Sequence, residues 1–229
     1  MSAPSLDTLK QQAAQRAVEF VEDGMVVGLG TGSTAKHVIA ALGQRVRTGL
    51  RIHGVPTSSE TAALATAAGI PLLEAERAWT LDVAIDGADQ IDPQFNLIKG
   101  GGGALLKEKI VAASARRFVV VADHTKQVPH LGKAFPLPIE VIPFGWGSTA
   151  RHLEQIGGTA QLRTKDGQTF RTECGHYIVD LTIGPLDDPA EWERRLHTIP
   201  GVVETGLFVG RTHVVILGTP TGVTVQTHA

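Results

Sequence analysis

The spacing of apolar residues divides the chain into a long stretch of alternating strands and helices and a shorter stretch with a different rhythm. Leu6, Leu9, Ala13, Ala17 and Phe20 recur at three- and four-residue steps and predict an amphipathic helix behind a Ser/Asp cap. MVVGLG (Met25 to Gly30) is short, apolar and bounded by glycine, which predicts a central parallel strand. TGSTAKHVIAALG follows as a loop and a helix closing at Gly43. RIHGVPTS reads as a second strand and loop, and SETAALATAAG as a helix capped by Ser58 or Ser59 with Glu60 in its first turn. A short strand around Pro71 to Leu73 precedes LDVAID (Leu81 to Asp86), a buried strand. ALLKEKIVAASA then reads as a helix and RFVVVAD (Arg117 to Asp123) as another apolar strand. Such alternation predicts a Rossmann-like, doubly wound parallel sheet.

The rhythm changes near Lys133. FPLPIEVIP is a proline-bracketed strand, followed by a helix over Ser148 to Ile156 that stops at Gly157 and Gly158. AQLRT and TFRTECGHYIVDLTIG alternate in polarity and meet through Lys165-Asp166-Gly167, an Asp-Gly hairpin signal. DDPAEWERRLHTIPG opens a helix with Asp188 as cap, Pro189 at the first helical position and Glu191 closing a capping box. VVETGLFVG follows as a strand. The order βαββαβ predicts a ferredoxin-like α+β domain inserted into the first one. HVVILGT is apolar throughout and is expected to return to the first sheet. The predicted division is residues 1–132 and 205–229 for the Rossmann-like domain and 133–204 for the small one.

Composition narrows the class of function. Of 229 residues, 42% are apolar and 19% charged, as in a globular chain able to bury a sizeable core. The formal net charge of −2 argues against a nucleic-acid-binding surface but leaves room for a local basic pocket. The single cysteine, Cys174, has no partner for an internal disulfide, which fits a reducing compartment. No apolar run reaches the roughly 18 residues of a membrane span, and the first residues lack the basic start and apolar core of a signal peptide. The expected location is the cytoplasm. Nine histidines are scattered without ligand spacing, so no metal site is expected.

The chemistry concentrates in DGADQIDPQFNLIKGGGGALLKEK, Asp86 to Lys109. Asp86 and Asp89 lie where a strand delivers its end to a loop, and Gly100 to Gly103 lie where the loop enters a helix. In open α/β sheets that end of the strands binds ligands. Four consecutive glycines are costly in backbone entropy and make sense where N–H groups approach a ligand or φ must be positive. A second glycine loop, Gly28 to Thr34, also joins a strand to a helix. Its N–H groups and the Thr31, Ser33 and Thr34 hydroxyls suit a phosphate, although taken alone the loop also reads as a tight structural turn. It lacks the dinucleotide fingerprint and the Walker lysine, and no nucleophile elbow is present. Asp-Gly-Ala-Asp could equally be a turn with a helix cap, and Glu108 inside Lys-Glu-Lys could be a solvated helix residue. Lys99 is better placed for ligand contact. The joint case is stronger, because two acids, a lysine, a glutamate and a phosphate loop all map to one edge of one sheet.

GLGTGSTA, VPTSSETAALA, IDGADQID, LIKGGGGALLKEKI, ADHTKQV, PLPIEVIP and the closing GLF with VILGTP resemble ribose-5-phosphate isomerase, type A, in order from the first helix to about Gly222. Gln90 stands where an acid is usual, and His124 where small or acidic residues are commoner. The resemblance implies interconversion of ribose 5-phosphate and ribulose 5-phosphate by proton transfer through an enediolate, without metal or organic cofactor. It implies Glu108 as the base, Asp86 as the group handling hydroxyl protons and Asp89 as a substrate-binding acid. Lys99 and the glycine-loop N–H groups would stabilise the developing oxyanion. Implied substrate and phosphate contacts are Thr31, Gly32, Ser33, Thr34, Gly87, Ala88, Gly100, Gly101, Gly102, Lys126 and Lys10. A homodimer or tetramer is also implied; separately, the small domain, with Trp146 or Trp192 expected to be exposed, is one candidate contact surface. The rival readings are a sugar-phosphate sensor, a CoA-transferase-like enzyme of similar fold, and a metal-assisted hydride-shift isomerase.

Overall fold

The computed structural model describes residues 4–228. In chain order the elements begin α1 (Leu6–Ala17), β1 (Val26–Leu29), α2 (Ser33–Arg47), β2 (His53–Pro56), α3 (Ser59–Ala67) and β3 (Val83–Asp86). Next come two short strands, β4 (Gln90–Ile91) and β5 (Leu97–Ile98), then α4 (Leu105–Ala113) and β6 (Phe118–Asp123). The middle of the chain holds β7 (Leu137–Val141), α5 (Trp146–Ile156), β8 (Thr159–Leu162), β9 (Thr164–Lys165), β10 (Gln168–Thr169) and β11 (Tyr177–Thr182). It closes with α6 (Pro189–Leu196), β12 (Val202–Thr205), β13 (Leu207–Phe208), β14 (Val214–Thr219) and β15 (Gly222–Thr227). These elements divide into two compact units, residues 1–88, 107–126 and 211–229 in the first and 89–106 and 127–210 in the second.

The first unit carries a six-stranded sheet in the order β15-β14-β6-β3-β1-β2. All neighbours are parallel except the β14–β15 hairpin at the edge. Central strands of this kind are covered on both faces and therefore read as continuous apolar runs. Val27, Leu29, Val83, Ile85, Val119, Val121 and Ile216 form its core with Ala13, Ala17, Val38 and Leu42 from the helices. Ser5 caps α1 by accepting the Thr8 N–H at 3.1 Å, and Ser58 caps α3 by accepting that of Thr61 at 3.1 Å. HVVILGT returns to this sheet as β14, as expected. Four details differ from the sequence reading, the first being that the strand expected around Pro71 to Leu73 is only a single bridge from Leu72 to Gly54. Helix α2 does not close at Gly43 but runs to Arg47. A Cβ on Gly43 would stand 2.7 Å from that of Ala68, so this glycine marks close helix packing rather than a stop. Leu6 is exposed while Ala14 is buried, which turns the apolar face of α1 by one position. The edge strand β15 alternates weakly in polarity and was not foreseen.

The second unit is built on the antiparallel sheet β12-β7-β11-β8, the strand order of a ferredoxin-like split βαββαβ unit. Its core joins Leu137, Ile139, Val141, Val179 and Leu181 with Leu153 and Leu196 of the two helices. Asp188 caps α6 by accepting the Glu191 N–H, with Pro189 at the helix start. Asp166 and Gly167 both have positive φ in the two-residue turn between β9 and β10, the signature of a type I′ hairpin. VVETGLFVG splits into β12 and β13, which join different sheets. Trp146 and Trp192 are half-buried and pack against this core, so neither is the exposed contact the sequence suggested.

Candidate active site

The chain passes from the first unit to the second after Ala88 and back before Lys107, so each unit carries part of the predicted site. In the first unit, β3 ends on Asp86, which is buried. One carboxylate oxygen, Oδ1, accepts the Gly87 N–H at 2.7 Å and the Thr31 N–H at 3.1 Å. Strand β3 is therefore tied to the loop leaving its neighbour β1. That approach depends on Gly30, where a Cβ would lie 2.1 Å from Asp86 Oδ1. Two residues earlier, a Cβ on Gly28 would lie 2.4 Å from Val111 Cγ1, so the same strand lets α4 pack close.

Thr31 anchors the phosphate-type loop. Its hydroxyl lies within hydrogen-bond distance of the Thr57, Ser58 and Thr61 hydroxyls, at 2.7, 2.9 and 3.2 Å. Thr61 in turn donates to the Gly30 carbonyl at 2.8 Å. Gly32, with φ +105°, caps α2, a backbone conformation that favours glycine. Gly32 and Ser33 are exposed while Thr34 is buried. Lys10 reaches this loop from α1, donating to Ser33 Oγ at 3.1 Å, with its Nζ 3.9 Å from the buried Asp123. Asp123 Oδ1 accepts the Thr125 N–H at 3.0 Å and so shapes the turn His124–Lys126, where Lys126 is half-buried. The hydroxyl cluster of Thr57, Ser58 and Thr61 and the anchor Asp123 were not predicted as site residues. Their only signals were the run VPTSSET and the aspartate ending the β6 strand.

Glu108 is on α4 and, contrary to a solvated Lys-Glu-Lys helix residue, it is only 6% exposed, with Lys109 at 4%. Asp86 at 4% and Lys99 at 3% are buried to the same degree. Burying an ionisable group costs free energy unless it is paired or hydrogen-bonded, so five such groups within one 24-residue stretch, Asp92 at 7% being the fifth, are a strong signature of function.

In the second unit, Lys99 directly follows β5, its N–H donating to the Gly206 carbonyl at 2.9 Å and its ammonium lying 5.6 Å from the Phe208 ring centre. Asp89 Oδ2 accepts the Gly101 N–H at 2.8 Å. Gly100 and Gly103 have φ of +108° and +83°, which explains two of the four glycines. Gly101 and Gly102 are exposed. Gln90, one of the departures from the family pattern, is buried and accepts the Gly132 N–H at 2.8 Å. Its amide does structural work that a carboxylate would do at a higher desolvation cost. Gly87 and Ala88 are half-buried at the crossing point.

A parallel sheet whose strand ends carry a buried carboxylate and a hydroxyl-lined glycine loop defines an α/β protein of the kind that binds small anionic ligands. Comparison with known proteins narrows the class. The family model for ribose 5-phosphate isomerase A (phosphoriboisomerase A) matches residues 53–222. The ribose-5-phosphate isomerase A of Gloeobacter violaceus is 54% identical over 97% of both chains. A solved ribose 5-phosphate isomerase A from Methanocaldococcus jannaschii superposes with a TM-score of 0.93 at 42% identity, covering 98% of this chain and 100% of that one. A solved D-ribose-5-phosphate isomerase in complex with phospho-erythronic acid gives 0.95 at 40% identity, with 98% and 100% covered. The chain belongs to the ribose 5-phosphate isomerase A family.

Proposed function

We propose that this chain interconverts D-ribose 5-phosphate and D-ribulose 5-phosphate, and that Glu108 is the base. The burial of Glu108 on α4, in a stretch with several other buried charged groups, is the observation that carries this reading, because such desolvated, charge-rich settings are where catalytic acids and bases are tuned. In the open-chain aldose, Glu108 takes the C2 proton and the electron pair enters the C1–C2 bond, leaving negative charge on the C1 oxygen. A proton passes from the C2 hydroxyl to that oxygen, and Glu108 returns its proton to C1, giving the C2 ketone. Lys99 and the N–H groups of the Gly100 to Gly102 loop stabilise the oxyanion. Asp86 manages hydroxyl protons, including those of ring opening, and Asp89 contributes to substrate binding while holding Gly101. The Thr31 to Thr34 loop with Lys10 takes the phosphate, and Lys126, Gly87 and Ala88 complete the substrate contacts.

Proton transfer of this kind needs no metal or organic cofactor. Phospho-erythronic acid, the molecule in complex with a solved relative, carries a carboxylate and a phosphate joined by a short hydroxylated chain, the charge pattern of the enediolate. The proposal extends to a cytoplasmic homodimer or tetramer, in which residues 133–204 serve assembly or cover the site and 1–132 with 205–229 catalyse. Exposed Cys174 suits a reducing compartment. The test is ribulose 5-phosphate formation by wild type and Glu108→Gln with chelator present. Loss of a general base should lower the rate by about 10²–10⁴-fold. Retained turnover in the variant would discard this mechanism, and ligand binding without turnover in wild type would favour a sensor.

A further inference from the structure

The glycine loop of the second unit is held from outside by a side chain that the reaction scheme does not use. Arg163 stands at the end of β8, and its guanidinium donates from Nη1 to the Gly100 carbonyl at 2.7 Å and to the Gly101 carbonyl at 3.2 Å. The rest of the fork is occupied by Asp180 on β11, with Nε donating to Oδ2 at 2.8 Å and Nη2 to Oδ1. The Arg163–Asp180 pair is mostly buried, at 14% and 21% side-chain exposure. A planar fork braced bidentately by a carboxylate has little freedom left, so the remaining donors are aimed. The Phe170 ring lies 6.0 Å from the guanidinium carbon and occupies the space that a Cβ on Gly103 would enter, at 2.4 Å.

The Gly100–Gly101 peptide is therefore gripped at both ends, its carbonyl by Arg163 and its N–H by Asp89 Oδ2 at 2.8 Å. The next peptide follows from planarity. In a trans peptide the N–H points opposite to the carbonyl, so with the Gly101 carbonyl turned to Arg163 the Gly102 N–H is turned away from it. Gly102 is exposed, and nothing lies within 4 Å of where its Cβ would be.

We propose that Arg163, braced by Asp180, is a positioning residue for the isomerase reaction, which fixes the Gly100–Gly102 peptides so that the Gly102 N–H is presented to the substrate oxyanion. This rests on the proposed role of the glycine loop in oxyanion binding. Arg163 touches no reacting atom in this scheme and acts through two carbonyls. Loss of the grip lets two peptides with glycine's freedom reorient, which removes preorganisation rather than a binding charge. Misplacement by about 1 Å costs on the order of 10²-fold in rate, so the expected loss of kcat/KM is about 10–100-fold, carried by kcat.

The test compares wild type, Arg163→Ala, Arg163→Lys and, as a surface control, Arg194→Ala, by kcat, KM, thermal melting and binding of two probes. Arg163→Ala should lose activity while folded, and guanidinium ion at millimolar concentration should recover part of it. Arg163→Lys keeps the charge and stem but not the fork, so it should fold and still fall by about tenfold, in line with the loss of bidentate geometry. Phospho-erythronic acid should bind more weakly to both variants, while competitive inhibition by inorganic phosphate, which reads the Thr31 loop, should stay unchanged. A purely structural role would move the melting temperature without guanidinium rescue and without separating the two probes. If Arg163→Ala fails to fold, Arg163→Lys alone decides, and wild-type kcat/KM in that variant overturns the proposal. Glu108→Gln is assayed alongside: an inactive Glu108→Gln with fully active Arg163 variants refutes the grip alone, whereas an active Glu108→Gln refutes the underlying scheme.

Discussion

Replacing Gly30 by alanine would set a methyl carbon 2.1 Å from Asp86 Oδ1, 2.2 Å from its Cγ and 2.6 Å from its Cβ. Carbon atoms in contact settle near roughly 3.5 Å, so the carboxyl group or β1 must retreat by about 1 Å. The carboxyl group has nowhere inexpensive to go, because Oδ1 holds the Thr31 and Gly87 N–H groups. Overpacking costs about 1–3 kcal/mol, and weakening hydrogen bonds to a charged acceptor adds about 1.5 kcal/mol or more. The expected loss is about 3–4 kcal/mol, a large part of the 5–15 kcal/mol typical of a domain. Gly28→Ala is the comparison. Its methyl meets Val111 Cγ1 at 2.4 Å and Ala84 Cβ at 2.9 Å, an apolar clash that leaves the Asp86 hydrogen bonds alone and that Val111→Ala relieves in part, the approach to Ala84 remaining. Urea unfolding gives the stabilities, and ribose 5-phosphate turnover is measured at a temperature where both variants are folded. Gly30→Ala should lose about 10²-fold in kcat/KM through displacement of Asp86, and Gly28→Ala far less. Wild-type activity in Gly30→Ala, or equal losses in the two variants, would refute the reasoning.

Two further outcomes follow from side chains in the first unit. Lys10→Met removes the ammonium that donates to Ser33 Oγ, and should raise KM for ribose 5-phosphate about tenfold, the effect of roughly 1.4 kcal/mol, with a smaller change in kcat. An unchanged KM would remove Lys10 from the phosphate site. The Arg51 guanidinium holds the Asp23 carboxyl below its ordinary value of 3.8, chiefly through their side-chain hydrogen bond. A carboxyl lowered on folding adds stability above its unfolded pKa and loses it as pH falls through the folded value. The stability difference between wild type and Arg51→Ala should therefore be constant at neutral pH and shrink below about pH 4, as read by urea unfolding across pH. A difference that grows on acidification would contradict this sign.

Much of the fold was legible because its signals are local. Continuous apolar runs at Met25, Leu81 and Arg117 announced buried parallel strands, and Asp188-Pro189 and Asp166-Gly167 announced a helix start and a hairpin. The class of the two main sheets followed from that alternation, while the order of their strands did not. Misread features arose where distant contacts decide the outcome. Gly43 resembles a helix stop until Ala68 is seen against it, and the edge strand β15 is stabilised by pairing along the whole of β14 rather than by its own pattern. The candidate site divides the same way. DGAD and KGGGG are contiguous and readable, whereas Glu108, which in its own Lys-Glu-Lys setting reads as a solvated helix residue, is singled out only by the joint pattern and the family resemblance. Its burial, the hydroxyl cluster around Thr31 and the grip of Arg163 on residues some sixty positions earlier arise only when the chain folds back on itself.

The central claim is proton transfer by Glu108, and the most direct measurement runs the reaction in heavy water and reads deuterium at C1 of ribulose 5-phosphate. A base that takes the proton from C2 and returns one to C1 exchanges with solvent during its lifetime on the carboxyl group. Wild type should therefore yield product carrying deuterium at C1, and Glu108→Gln should yield neither product nor label at a comparable rate. Rapid wild-type turnover with no deuterium at C1, the mark of a hydride shift, or labelling that persists undiminished in Glu108→Gln, would contradict the account.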